Sequence, residues 1–167
     1  MSAVANQLEN YSIYINLSLR GAQPGFHWSI FITTNKFEGE VWHAVNRNGG
    51  WSLETNTTNG VPSSMGLCLV LKLGTVSNQN WETLRTTLAN IPSGGQPSLH
   101  TREIFTCRVW VKDAICALHN AGVVRLAKSI ETIEKVAIEM AEDNRASVEL
   151  GTGEVLVLNS TGFSDTA

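Results

Sequence analysis

The part of the chain that most constrains its fold runs from Tyr11 to Gly74, where short alternating runs follow one another with little room between them. In "YSIYINLSLR", Ile13, Ile15, Leu17 and Leu19 alternate with Tyr14, Asn16 and Ser18. A period of two marks a strand with one buried face, because successive side chains point to opposite sides of the pleat. "FHWSIFITT", "GEVWHAVNR", "GWSLETNT" and "LCLVLKL" are rich in β-branched and aromatic residues and read as further strands. The breaks "GAQPG", "NKFEG", "NGG" and "NGVPSSM" are turn chemistry, too short for helical crossovers. Antiparallel neighbours are expected.

The texture changes near residue 78. "SNQNWETLRTTLANIP" carries Trp81, Leu84, Leu88 and Ile91 at three- and four-residue spacing, an amphipathic helix ended by Pro92. After the loop "SGGQPS", a second helix is expected from about Cys107 to just before Gly122, with Val111, Ala114, Ile115 and Leu118 as its core stripe. Ser129 is the expected N-cap of a third, whose apolar face is Ile130, Ile133, Val136, Ala137, Met140 and Ala141. "GEVLVLNST" reads as a last strand. Strands, then helices, then one strand predict an α+β fold, a mainly antiparallel sheet of about five to six strands with about three helices. A chain of 167 residues without repeat or linker fits one domain over residues 1–167.

Composition excludes several classes of function. Apolar residues make up 43%, enough for a core, and a net charge of −3 without any basic cluster argues against nucleic acid or an anionic membrane surface. The longest apolar runs, such as "GLCLVLKLG", fall far short of the roughly 20 residues of a membrane span. "MSAVANQLENYS" lacks the basic start and apolar run of a secretory signal, so a soluble, cytoplasmic protein is expected. Three cysteines without CxxC spacing argue against a disulfide framework or a Cys-rich zinc site.

Chemistry concentrates on few residues. A thiol becomes a good nucleophile as a thiolate, and a helix N-terminus or a neighbouring imidazole lowers its pKa from about 8.5 to between about 3.5 and 7.5. Cys107 is placed for the first device, and His27 and His43, on adjacent strands, for the second if both face the same helix end. One histidine would then be the base and the other would hold its tautomer. Buried structural cysteines are nevertheless the commoner case. Cys116 falls half a turn out of phase with Cys107, Cys68 sits in an apolar run, and His119 has the helix dipole as sufficient reason for its place. His100 lies in the loop before the second helix. Trp28, Trp42, Trp51 and Trp110, with Arg108, are the candidates for lining an apolar acyl pocket, although such residues more often fill a core. A zinc site from His27, His43 and Cys107 matches no zinc motif, so no metal is expected. Nucleotide-binding glycine motifs and GxSxG are missing, and no cofactor is expected.

"HWSIFI", "VWHAV" and "TCRVWV" opening a helix, in that order, resemble the NlpC/P60 superfamily of papain-like enzymes, and within it the circularly permuted branch of lecithin retinol acyltransferase-like and PPPDE proteins. The resemblance implies a permuted papain-like fold, with Cys107 as nucleophile, His27 as general base and His43 as the orienting residue. Thr106 stands where that branch often has asparagine, and the backbone N–H of Cys107 is the available oxyanion donor. The implied activity is acyl transfer from a thioester, ester or amide substrate, as hydrolase, acyltransferase or small-molecule cyclase. The rivals are a non-catalytic module binding a small hydrophobic ligand and a cyclase acting by pocket shape alone. A Cys107 sulfur more than about 5 Å from the His27 ring, with no room to approach it, would count against catalysis.

Overall fold

The computed structural model describes residues 7–35, 38–59 and 66–162. Five strands precede the helices: β1 (Ser12–Arg20), β2 (Gln23–Asn35), β3 (Glu38–Arg47), β4 (Gly50–Thr58) and β5 (Leu67–Thr75). Three helices follow, α1 (Trp81–Asn90), α2 (Cys107–Asn120) and α3 (Ile130–Glu149), and then β6 (Leu156–Asn159). The strands form one sheet in the order β4-β3-β2-β1-β5-β6. β1 to β4 pair antiparallel in chain order, as their short breaks favoured, whereas β5 does not join β4 despite a short break and lies antiparallel beside β1 instead. β6 alone runs parallel, beside β5, because all three helices lie between those two strands in the chain. The α+β architecture read from the sequence is the one observed.

Helix boundaries follow their caps. Thr106 accepts a hydrogen bond from the Val109 N–H at the start of α2, and Ser129 does the same for Thr132 at the start of α3. Beyond α2, Gly122 takes φ +75°, a left-handed conformation that suits glycine, while the Val123 N–H returns to the Leu118 carbonyl.

The sheet is buried on both faces, unequally. Its inner face sends Ile13, Ile15, Leu17, Trp28, Ile30 and Ile32 into one core with Trp110, Ala114, Ile115 and Leu118 of α2 and with residues of α1 and α3. The outer face carries a smaller cluster of Leu8, Tyr14, Phe31, Leu67 and Val70. Trp42 and Trp110, expected as pocket walls, belong to the inner core, at 8% and 0% exposure. Their interior places follow from phase: Trp42 pairs with Ile30 of β2, and Trp110 lies one turn along α2 from the fully buried Ala114. Trp110→Ala is therefore expected to lower unfolding free energy by about 3–5 kcal/mol, read from urea denaturation; a loss under 1 kcal/mol would contradict its core role.

Candidate functional site

The residues singled out by the sequence divide between the two faces. Along β2, Phe26 and Trp28 face the helices, so His27 between them faces outward with Ser29 and Phe31. His43 shares that outer face. Nε2 of His27 and Nδ1 of His43 lie 2.7 Å apart in a hydrogen bond, with the two rings edge to face. Glu54, directly opposite His43 on β4, places Oε1 3.8 Å from the other His43 nitrogen, Nε2, and is itself held by Arg47 at 2.7 Å. His27, His43 and Glu54 thus form a chain running from β2 to β4.

That contact constrains the tautomers. One proton occupies the His27–His43 hydrogen bond. The Glu54 carboxylate favours a proton on His43 Nε2, which leaves Nδ1 of His43 to accept from Nε2–H of His27. The lone pair then falls on Nδ1 of His27, which has no hydrogen-bond partner among the described residues. The two histidines on adjacent strands are in contact, with Glu54 as a third member that the sequence did not suggest.

Cys107 is elsewhere. As the first residue of α2 it lines a cleft of about 330 Å³ on the helix side of the sheet. The walls are Phe26 and Trp28 of β2, Trp51 of β4, Thr106 and Arg108 beside Cys107, and Ile138 and Glu142 of α3, with Arg20 and Gly25 at the β1–β2 turn. No hydrogen bond joins Cys107 to either histidine, and neither histidine lines the cleft. The expected catalytic constellation of Cys107, His27 and His43 is therefore not assembled: the sheet lies between thiol and imidazoles. The physical reason is the phase of β2, where placing His27 inward would expel Trp28, 2% exposed, from the core.

Of the expected pocket residues, Trp28, Trp51 and Arg108 do line the cleft. Arg108 is committed to Glu103 at 2.7 Å and to Glu134, and Lys112 binds the same two carboxylates at 2.6 and 2.9 Å. Lys112 holds the Glu103 carboxyl down at about 2. This network fastens α2 to α3 and occupies the Arg108 guanidinium. Arg20 is different: exposed, it makes one described hydrogen bond, to the Pro24 carbonyl at 3.4 Å. Trp51, one of the tryptophans the sequence offered for a pocket, lines the cleft packed edge to face on Phe105, whereas Ile138 of α3 carries no signal in the sequence because only the fold brings it there. Cys116 lines a separate hollow with His100 and His119, as helical phase required, and Cys68 is fully buried. Among the described residues no three His, Cys, Asp or Glu side chains gather as a metal site, and no helix is long and apolar enough to cross a membrane.

A family model, described as a family of unknown function (DUF6540), matches residues 13–125. The chain belongs to the DUF6540 family. The DUF6540 segment includes His27, His43, Glu54 and Cys107 and ends before α3, which supplies Ile138 and Glu142 to the cleft. Comparison with curated proteins and with solved structures returned no match.

Burial lowers the pKa of both histidines: His27 falls to about 4, with His43 and then Arg20 as further causes, and His43 is also lowered. A depressed histidine leaves the folded state short of a proton that the unfolded chain takes up. Stability is then full above about pH 6.5 and falls as pH drops toward about 4, where the effect of His27 levels off. Urea denaturation in EDTA-containing buffer is expected to give about 1–2 kcal/mol less stability at pH 5 than at pH 7.5, allowing for solvent screening. The difference should shrink in His27→Gln.

Proposed function

We propose that this DUF6540 protein binds a small, largely apolar molecule in the cleft between the inner sheet face and the N-terminus of α2. The observation that carries this reading is the cleft's lining: three aromatic side chains, Phe26, Trp28 and Trp51, with Ile138 on the α3 side. Its volume of about 330 Å³ lies at the small end of ligand sites, which span roughly 300–1,000 Å³. Few polar groups converge there, the pattern in which apolar walls supply affinity and one or two polar atoms fix orientation. Arg20 at the turn supplies a guanidinium with no described carboxylate partner, and Cys107 a thiol.

Two tryptophans in the walls provide the readout. Titration with a series of short fatty acids and aromatic carboxylates should change tryptophan emission saturably for at least one member. Trp51→Ala, which alters a half-buried position rather than the core centre, should weaken that binding about tenfold. No saturable change across the series, or binding indifferent to Trp51, would reject the cleft as the site.

A second reading, acyl transfer through Cys107, has one observation in its favour. The thiol borders the cleft at the first residue of a 14-residue helix, where the N–H groups of Cys107 and Arg108 lack intrahelical acceptors. A thiolate there would form a bond to an acyl carbon as the leaving group departs with its electron pair, and the N–H groups would receive the developing oxyanion. With both histidines across the sheet, water or the departing group would have to take the thiol proton. Incubation with an activated acyl thioester should then add one acyl mass to the protein and none to Cys107→Ser; equal acylation of both would dismiss this chemistry.

A further inference from the structure

The outer face carries a second feature that the cleft does not use. Two imidazole nitrogens, from residues on neighbouring strands, point at each other across 2.7 Å with one proton between them. The geometry points to this pair, His27 Nε2 and His43 Nδ1, as a binding site for one divalent transition-metal ion of the zinc, nickel or copper class, which takes the place of the shared proton once that proton has moved to Nδ1 of His27.

The first support is spacing. Nitrogen ligands lie about 2.0–2.1 Å from zinc, which places two of them about 3.3 Å apart at a tetrahedral ion. Admitting the ion therefore asks the nitrogens to part by about 0.6 Å and both rings to turn until their lone pairs converge on it. Both rings are anchored on paired strands, so the two ligands are already brought together before any ion arrives. Imidazole nitrogen also sets the class of ion, since magnesium and calcium prefer oxygen ligands.

The second support lies behind the pair. A metal on Nδ1 of His43 requires the proton on its Nε2, and that nitrogen is enclosed without a hydrogen-bond partner. Glu54 Oε1, 3.8 Å away, is the acceptor it faces, and Arg47 holds the carboxylate from the far side. A carboxylate behind a metal-bound histidine fixes the ring and strengthens it as a ligand.

The third support is Asn16. It pairs with Ser29 across β1 and β2, one diagonal step from His27 on the same face, whose direct partner is Ser18. Asn16 is 3% exposed, and both its amide oxygen and its amide nitrogen lack partners. A buried amide in that state is costly, and the water carried by a bound ion supplies hydrogen-bonding partners of the kind it lacks. Since no third His, Cys, Asp or Glu joins the pair among the described residues, the chain provides two nitrogen ligands and the remaining positions stay open to water or an incoming molecule. The exchange balances without net proton release: the His27 proton moves from Nε2 to Nδ1 by way of solvent, and the ion takes one lone pair from each neutral imidazole.

The test is calorimetric titration of the full chain with zinc chloride in a non-coordinating buffer. The expected result is one zinc per chain, weakened about tenfold or more by His27→Ala and by His43→Ala, weakened less by Glu54→Gln, and unchanged by Cys107→Ser. Because a histidine variant can lose its fold, the unaltered protein is read as well: imidazole nitrogen NMR should show the His27 Nε2 and His43 Nδ1 signals moving on zinc addition. Absence of one-to-one binding up to millimolar zinc overturns the proposal. So does binding that survives both histidine substitutions in folded protein, or that disappears in Cys107→Ser.

Discussion

The structure depends on the phase of β2. Within "FHWSIFIT", Phe26, Trp28, Ile30 and Ile32 form one set, and His27, Ser29, Phe31 and Thr33 form the other. Fully burying each large apolar side chain stabilises the fold by roughly 1.5–3 kcal/mol, so the first set must lie under the helices. A shift of one residue would expose all of it at once. His27 and Trp28, adjacent in sequence, are thereby held on opposite sides of the sheet. The same constraint separates the imidazole pair from the thiol of Cys107 and gives the molecule two chemically distinct surfaces.

Much of the architecture was legible in the residues because it rests on local periodicity. Alternation marked the strands, the three- and four-residue stripes marked the helices, and Thr106, Gly122 and Ser129 sit at helix ends as their types suggest. Facing was partly legible too. The uniformly apolar phase of β2 carried a signal for an outward His27, against the expected partnership with Cys107, whereas in β3 both phases are mixed, Val41, His43 and Val45 against Trp42 and Ala44, and only pairing resolves them. The cleft was the least legible part. Arg20, Trp51 and Ile138 share no motif, and no property of the chain short of its tertiary packing brings them together.

The two surfaces also differ in how they are built. The imidazole chain is confined to neighbouring strands, so its geometry is tied to the ladder hydrogen bonds of β2, β3 and β4. The cleft draws its walls from the sheet, from α2 and from α3, and α3 lies beyond the segment matched by the family model. Arg145 of α3 spans that junction. It donates to the carbonyls of Gln23 and Gly25 at 2.9 and 3.3 Å and lies over the Phe26 ring. The β1–β2 turn and α3 are thereby clamped at one rim of the cleft, and the charged network of Glu103, Arg108, Lys112 and Glu134 fixes α2 against α3 nearby.

The parallel docking of β6 beside β5 bears on the order in which the molecule assembles. The four-strand meander of β1 to β4 is made of contacts that close early, since little chain separates their partners, while β5 must return past three strands to pair with β1. Leu69 and Val70 meet Leu156 and Val157 only after the whole helical segment has been laid across the inner face. Until then β5 is an open edge, rich in Leu and Val, of the kind that recruits other chains. Asn144 of α3 bonds to the carbonyls of Cys68 and Glu154 at 3.0 and 2.9 Å, joining the exposed strand to the segment that covers it. One amide side chain thus serves as the latch on the last and most aggregation-prone step of folding.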